Sequence, residues 1–163
     1  MEISPFKYPM NFALVDDVLC RSSQPNEFEI KFMKDNIGLT DIFKLSDNSP
    51  KIATLTEIET AKNLGINYHT IPSRTESPIW EKIKGFVDTV NALKTSGNKK
   101  ALAHCNAGVD RTGTYVLFYQ LINKLKNYDE AVKEMLKMGH DPISLPNLLP
   151  RIKEIAIKMK FIK

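Results

Sequence analysis

Two cysteines and three histidines are all that 163 residues contain of these types, and each scarcity excludes something. Cys20 and Cys105 are too few for a disulfide framework. The histidines and cysteines stand at no metal-ligand spacing, so neither a metal nor another cofactor is expected. No stretch approaches the roughly 18 consecutive apolar residues of a membrane span. Met1-Glu2-Ile3-Ser4-Pro5 lacks a basic region followed by an apolar one, so no secretory leader is expected and the cytoplasm is the default location. Internal repeats and low-complexity segments are absent. So is an interleaved basic and aromatic patch, and a nucleic-acid partner is therefore not expected.

What is present is a 42% hydrophobic chain, enough for one domain over residues 1–163 with its own core. Residues 1–11 form an N-terminal arm carrying Pro5 and Pro9. A net charge of +4 favours acidic partners, such as phosphorylated proteins, inositol phosphates or nucleic acid ends, although most of the lysines read as solvated helix faces. The segment from Arg151 to Lys163 alternates basic and apolar residues. It either lies on an acidic membrane surface or closes the core, and the second reading is favoured.

Elements follow from periodicity and punctuation. Phe12 to Val15 and Val18 to Cys20 read as short strands around the turn-forming pair Asp16-Asp17. Cys20 is expected to be a small buried residue, with a regulatory disulfide to Cys105 as the alternative. Asn26 caps a helix that Gly38 ends, and Leu39 to Leu45 is the next strand. Ser49-Pro50 starts a second helix with Leu55, Ile58 and Leu64 spaced for burial, closed by Gly65. Ile66 to Ile71 is a strand carrying a structural His69, and Pro78 opens a long helix stopped by Gly97-Asn98. Lys99 to His104 is a strand, followed by a helix apolar on nearly all sides from Tyr115 to Leu125, and therefore buried. A helix from Asp129 to Met138, a Gly139-His140-Asp141-Pro142 turn and a final helix from about Leu145 complete the chain. The alternation implies an α/β fold, a mostly parallel central sheet of four to five strands with helices on both faces.

One stretch carries chemistry: His104-Cys105-Asn106-Ala107-Gly108-Val109-Asp110-Arg111-Thr112-Gly113. Strand, tight loop and helix start place the backbone N–H groups of Asn106, Ala107, Gly108, Val109, Asp110 and Arg111 around an oxyanion, with the helix dipole adding positive charge. Gly108 frees the backbone for the turn, and Gly113 permits close packing behind it. The planar Arg111 fork can grip two oxygens at once. A thiol in that field, Cys105, becomes a thiolate nucleophile aimed at phosphorus.

His-Cys-x5-Arg-Thr-Gly resembles the phosphate-binding loop of cysteine-dependent protein tyrosine and dual-specificity phosphatases. Asn11-Phe12-x-x-Val15-Asp16, Arg21-Ser22 and Pro25 are similar to the N-terminal pattern of the plant-and-fungal atypical dual-specificity group and its bacterial relatives, so the likeness covers about residues 11–140. It implies a metal-independent hydrolysis of phosphate monoesters through phosphocysteine, on phosphoproteins, inositol phosphates or phosphoinositides. Within it Thr112 would hydrogen-bond the Cys105 sulfur, and His104 would shape the loop by bonding backbone near Cys105. Such enzymes commonly draw the leaving-group proton from an upstream aspartate, yet Gly65 to Thr75 holds no carboxylate. Glu76 is the nearest, 29 residues before Cys105. Asp110 is the second candidate, at a loop position where myotubularin-type phosphatases also carry aspartate, and a good leaving group would need little acid. Arg74 is a candidate substrate contact on the loop bordering the pocket. An RNA 5′-triphosphatase and a phosphate-binding module with little turnover are the competing readings.

Overall fold

Thr40 and Asp41 both reach back to Lys100 O, one strand pulling the next into register at the centre of the sheet. A computed structural model describes residues 7–47 and 51–163. Among them lie strands β1 (Ala13–Leu14), β2 (Leu19–Ser22), β3 (Asp41–Lys44), β4 (Asn67–Thr70) and β5 (Ala101–His104). The helices are α1 (Glu27–Ile37), α2 (Ile52–Asn63), α3 (Trp80–Ser96), α4 (Asp110–Ile122), α5 (Tyr128–Lys137) and α6 (Leu148–Lys158). The sheet order is β1-β2-β5-β3-β4; β2, β5, β3 and β4 run parallel, and β1 is antiparallel to β2. This is the mostly parallel, five-stranded α/β sheet that the alternation implies.

Local chemistry accounts for the element ends. Asn26 Oδ1 accepts from Glu29 N at 2.8 Å to start α1, and Gly38 ends that helix in the left-handed region at φ 70°. Asn127 and Glu130 exchange reciprocal bonds at the start of α5, a full capping box. The expected start of the second helix at Ser49-Pro50 lies outside the described residues.

Period-two alternation sorts the core into two layers. Leu19, Phe43, Ala101 and Ala103 face Ile83, Phe86, Val87 and Val90 of α3, the apolar flank of α4, and Leu148, Ile152 and Ala156 of α6. Cys20, Ile42 and Leu102 face Ile30 and Met33 of α1 and Ala61 of α2. The C-terminal helix thus closes the core, with Phe161 and Ile162 packed against it. His69 stacks on Phe43 at 4.2 Å and bonds Asp41 Oδ1 at 2.9 Å, a structural arrangement. No helix among the described residues is long and apolar enough to cross a membrane.

One expectation about burial is corrected. Leu55 and Ile58 are 56% and 40% exposed, while Thr54, Glu57 and Ala61 form the buried face of α2. The helix is turned so that a carboxylate, not two aliphatic side chains, points at the sheet. His104 on β5 is what that carboxylate meets.

Candidate active site

β5 is the middle strand, and its last residue feeds a loop at the carboxyl end of the parallel sheet, where such sheets bind ligands. His104 belongs to the α1–α2 side by alternation, and its ring is fully buried. Nδ1 lies 2.9 Å from Cys105 O, while Nε2 bonds Glu57 Oε1, itself without exposed surface. His104 therefore shapes the loop from behind.

The next three carbonyls are also held. Asn106 O accepts from Gln24 N at 2.9 Å, Ala107 O from Asn11 Nδ2 at 2.8 Å, and Gly108 O from Arg21 Nη2 at 3.0 Å. With Cys105 O on the His104 ring, four consecutive carbonyls are tied to the outside. A trans peptide sets its N–H opposite its C=O, so the N–H groups of Asn106, Ala107, Gly108 and Val109 face the hollow of the loop. The first turn of α4 adds to them, because Val109 at its N-cap supplies no side-chain cap. Successive N–H groups turned to one side of a loop are the arrangement that binds anions in general.

Arg21 does this from deep burial, at 2% exposure. Desolvation pulls its pKa below the ordinary arginine value, and the charges of Glu134 and Cys105 work against that fall. Gly108 sits at φ 74°, with the Ser22 carbonyl group directly behind it. Gly113 packs on the Met135 side chain, where an added Cβ would come within 3.2 Å.

Cys105 is 3% exposed, and Thr112 Oγ1 donates to its Sγ at 3.1 Å. Arg111, second residue of α4, reaches from Nη1 to Ser73 O at 3.5 Å, which sets the loop after β4 along the rim of the site. Ser73 Oγ in turn meets Tyr115 OH at 2.5 Å. Burial raises the Tyr115 pKa, and the Ser73 bond opposes the rise.

The two candidate acids have different partners. Glu76 Oε2 accepts from Asn147 N at 3.1 Å, joining the rim loop to the residue that begins α6. Asp110 Oδ1 lies 2.8 Å from His140 Nδ1, whose ring is buried and whose Nε2 has no partner among the described residues. Arg74 is exposed on the rim loop. Cys20 stands opposite Leu102, three residues short of Cys105 along the strand, or about 10 Å. Its Sγ bonds Ala101 O and its thiol is pushed by burial up to about 12. A disulfide between the two cysteines would need a Cα separation below about 7 Å. That alternative is removed.

Four residues of the site are missing from the sequence reading as site residues: Glu57, Gln24, Asn11 and Arg21. Asn11 and Arg21 carried a resemblance without a role; Glu57 and Gln24 carried no local signal. His140 reads from the sequence as part of a turn and is instead the partner of Asp110. Among the described residues, no group of three His, Cys, Asp or Glu side chains is placed to hold a metal ion.

A sheet that ends in Cys-x5-Arg, with the arginine in the first turn of the following helix, defines the cysteine-dependent tyrosine and dual-specificity phosphatase superfamily. The model of the tyrosine phosphatase family matches residues 7–142, and the chain belongs to that family. It is 31% identical over 112 residues to a probable tyrosine-protein phosphatase, DG1060, of Dictyostelium discoideum. That match takes in 66% of this chain and 64% of the relative, so the alignment spans a little under two thirds of the relative's length. Among solved structures, a putative phosphatase of Shewanella putrefaciens superposes with a TM-score of 0.74 at 22% identity, covering 93% of this chain and 92% of that one. The core catalytic domain of the PP-IP phosphatase SIW14 of S. cerevisiae superposes at 0.67 with 21% identity, covering 97% and 98%.

Proposed function

We propose that this protein is a metal-independent phosphatase that hydrolyses phosphate monoesters, phosphotyrosyl polypeptides first among them, through a phosphocysteine intermediate. The observation that carries the reading is the set of four tied carbonyls, which leaves a ring of N–H donors above a nearly buried thiol. Family membership and the named activity of the Dictyostelium relative support the choice of substrate.

In the first step Cys105 Sγ attacks phosphorus in line. The S–P bond forms while the P–O bond to the leaving alcohol breaks. The equatorial oxygens sit in the ring of N–H groups and the Arg111 fork, which favour the charge distribution of the transition state. The departing oxygen takes a proton from Asp110. Asp110 suits this role because its side-chain partner among the described residues is a histidine nitrogen, a group of the kind that can accept or pass on a proton. Glu76 is engaged by a backbone N–H that can only donate, so we assign it to holding the rim loop against α6. In the second step water attacks phosphorus, Asp110 takes back a proton, and the S–P bond breaks. The sulfur leaves as a thiolate with the Thr112 hydroxyl donating to it.

The test is hydrolysis of an aryl phosphate in the presence of a chelator, with Cys105→Ser abolishing it. Turnover that survives Cys105→Ser would overturn the mechanism. Asp110→Asn is expected to slow alkyl phosphates far more than aryl phosphates with good leaving groups, while Glu76→Gln leaves that contrast intact. The opposite pattern would move the acid to Glu76. A panel including inositol phosphates, phosphoinositides and triphosphate RNA ranks the substrates, and tight binding with negligible turnover would make the protein a phosphate-reading module.

A further inference from the structure

Beside the phosphate loop lies a groove of about 480 Å³ that the hydrolysis step does not use. Ser73, whose carbonyl Arg111 touches, is one of its lining residues, so the groove borders the site assigned above. Three cations line it from three separate elements: Arg74 on the rim loop, Lys82 on α3 and Arg151 on α6. Lys82 is partly engaged, donating to Pro72 O. Arg74 and Arg151 pair with no carboxylate among the described residues. The groove's one acidic residue is Asp47, whose carbonyl accepts from Lys44.

Ser73 and Ser77 add hydroxyl groups to the lining, and the remaining residues are apolar. Pro72 and Pro78 form part of it, and Ile79 is 47% exposed beside them. Guanidinium groups that meet no carboxylate among the described residues, beside Pro72, Pro78 and Ile79, suit a ligand with both carboxylates and hydrocarbon. An inositol phosphate presents only phosphate and hydroxyl at its edge and would leave the Pro and Ile surface unused.

We propose that this groove binds the polypeptide flanking the phosphorylated residue, and that it selects segments carrying acidic residues next to an apolar one. The inference rests on the phosphatase reading and names the substrate class of that same site. The phosphoryl group occupies the loop, the chain leaves past Ser73, and its carboxylates meet Arg74 and Arg151 while its apolar side chain lies on Pro72, Pro78 and Ile79. Charge complementarity of this kind acts mainly through selectivity and association rate, and salt weakens it.

The experiment compares two phosphotyrosyl peptides, one flanked by Glu-Glu-Leu and the other by Gln-Gln-Leu. The acid-flanked peptide is expected to show a kcat/KM about tenfold higher at low ionic strength, with the ratio shrinking toward one at high salt. Arg74→Glu combined with Arg151→Glu is expected to erase or invert that ratio, read from the two peptides on the same enzyme preparation. Both positions are exposed, and an unchanged thermal midpoint checks that the variant is folded. Binding of the same peptides to Cys105→Ser protein reads the groove without turnover and must show the same preference. Equal handling of the two peptides, in binding and in rate, overturns the groove while leaving the phosphatase reading standing. A preference that survives the double charge reversal overturns it as well. So does inhibition by an inositol polyphosphate that is relieved by the double variant while the peptide flanks make no difference. Binding preference without any turnover of peptide or aryl phosphate supports the groove and overturns the phosphatase.

Discussion

At Gly108 the chain runs at φ 74°, and an added Cβ would stand 2.3 Å from both the carbonyl carbon and the oxygen of Ser22. Backbone cannot rotate away as a side-chain end can, so the smallest substitution must displace either the loop or the end of β2. Gly108→Ala is expected to lower kcat at least about a hundredfold, since the N–H ring moves off the phosphate. It should also cost about 1–3 kcal/mol of stability through the strained φ. Steady-state kinetics and a denaturant titration check both. Thr112→Val keeps the volume but removes the hydroxyl that lies 3.1 Å from the Cys105 sulfur. Its expected effect falls on the second half of the reaction: phosphocysteine breakdown slows at least about tenfold and a rapid burst of the first product precedes slow turnover. Stopped-flow assay with an aryl phosphate would see the burst. A uniform loss without one would place Thr112 in the first step.

The elements around the loop are set by pairs far apart in the chain. α2 exposes Leu55 and Ile58 because Glu57 has to reach the His104 ring, and neither member of that pair has exposed side-chain surface. Leu55→Gln is therefore expected to change stability by no more than about 0.5 kcal/mol. Ile83→Ala, on the fully buried face of α3, should cost about 2–4 kcal/mol. Urea titration of the two variants distinguishes this placement of α2 from one that buries its aliphatic residues, which would make Leu55→Gln the costlier change.

For the whole molecule, one carboxylate ties the sheet edge to two helices. Asp16, in the β1–β2 turn, accepts from Val18 N at 2.9 Å, Leu19 N at 2.8 Å and Tyr119 OH at 2.5 Å, and pairs with Lys94 Nζ at 2.8 Å. Burial pushes its pKa up, but the bonds from Lys94, Tyr119 and the backbone outweigh burial and the net shift is downward from 3.8. A carboxylate lowered on folding contributes stability that is fully present above its unfolded value and is lost as pH falls through the folded one. The protein is thus expected to lose stability below about pH 4, and part of that loss belongs to Asp16. Asp16→Asn should be less stable than the parent by about 1–3 kcal/mol at pH 7. The gap should close as the pH is lowered through the acid range. Urea titrations at neutral and at acid pH provide the check, and a gap that stays constant down to pH 2 would contradict the assignment.

The linear sequence was enough to place the Cys105–Arg111 loop, the strand before it and the buried helix after it. Cys105, Gly108, Arg111, Thr112 and Gly113 act within ten residues of one another, so their spacing already contains their geometry. Period-two and helical patterning likewise carried the α/β alternation, because each depends on neighbours within a turn or two. Only the tertiary structure decided what holds the loop open. Glu57 meets His104 across 47 positions, Arg21 meets Gly108 across 87, and Asn11 meets Ala107 across 96. It also decided that His140 faces Asp110, 30 positions away, and that Arg74, Lys82 and Arg151 share one groove. Contacts of this span arise from how the sheet orders its strands as β1-β2-β5-β3-β4, and no local pattern in the chain encodes that order.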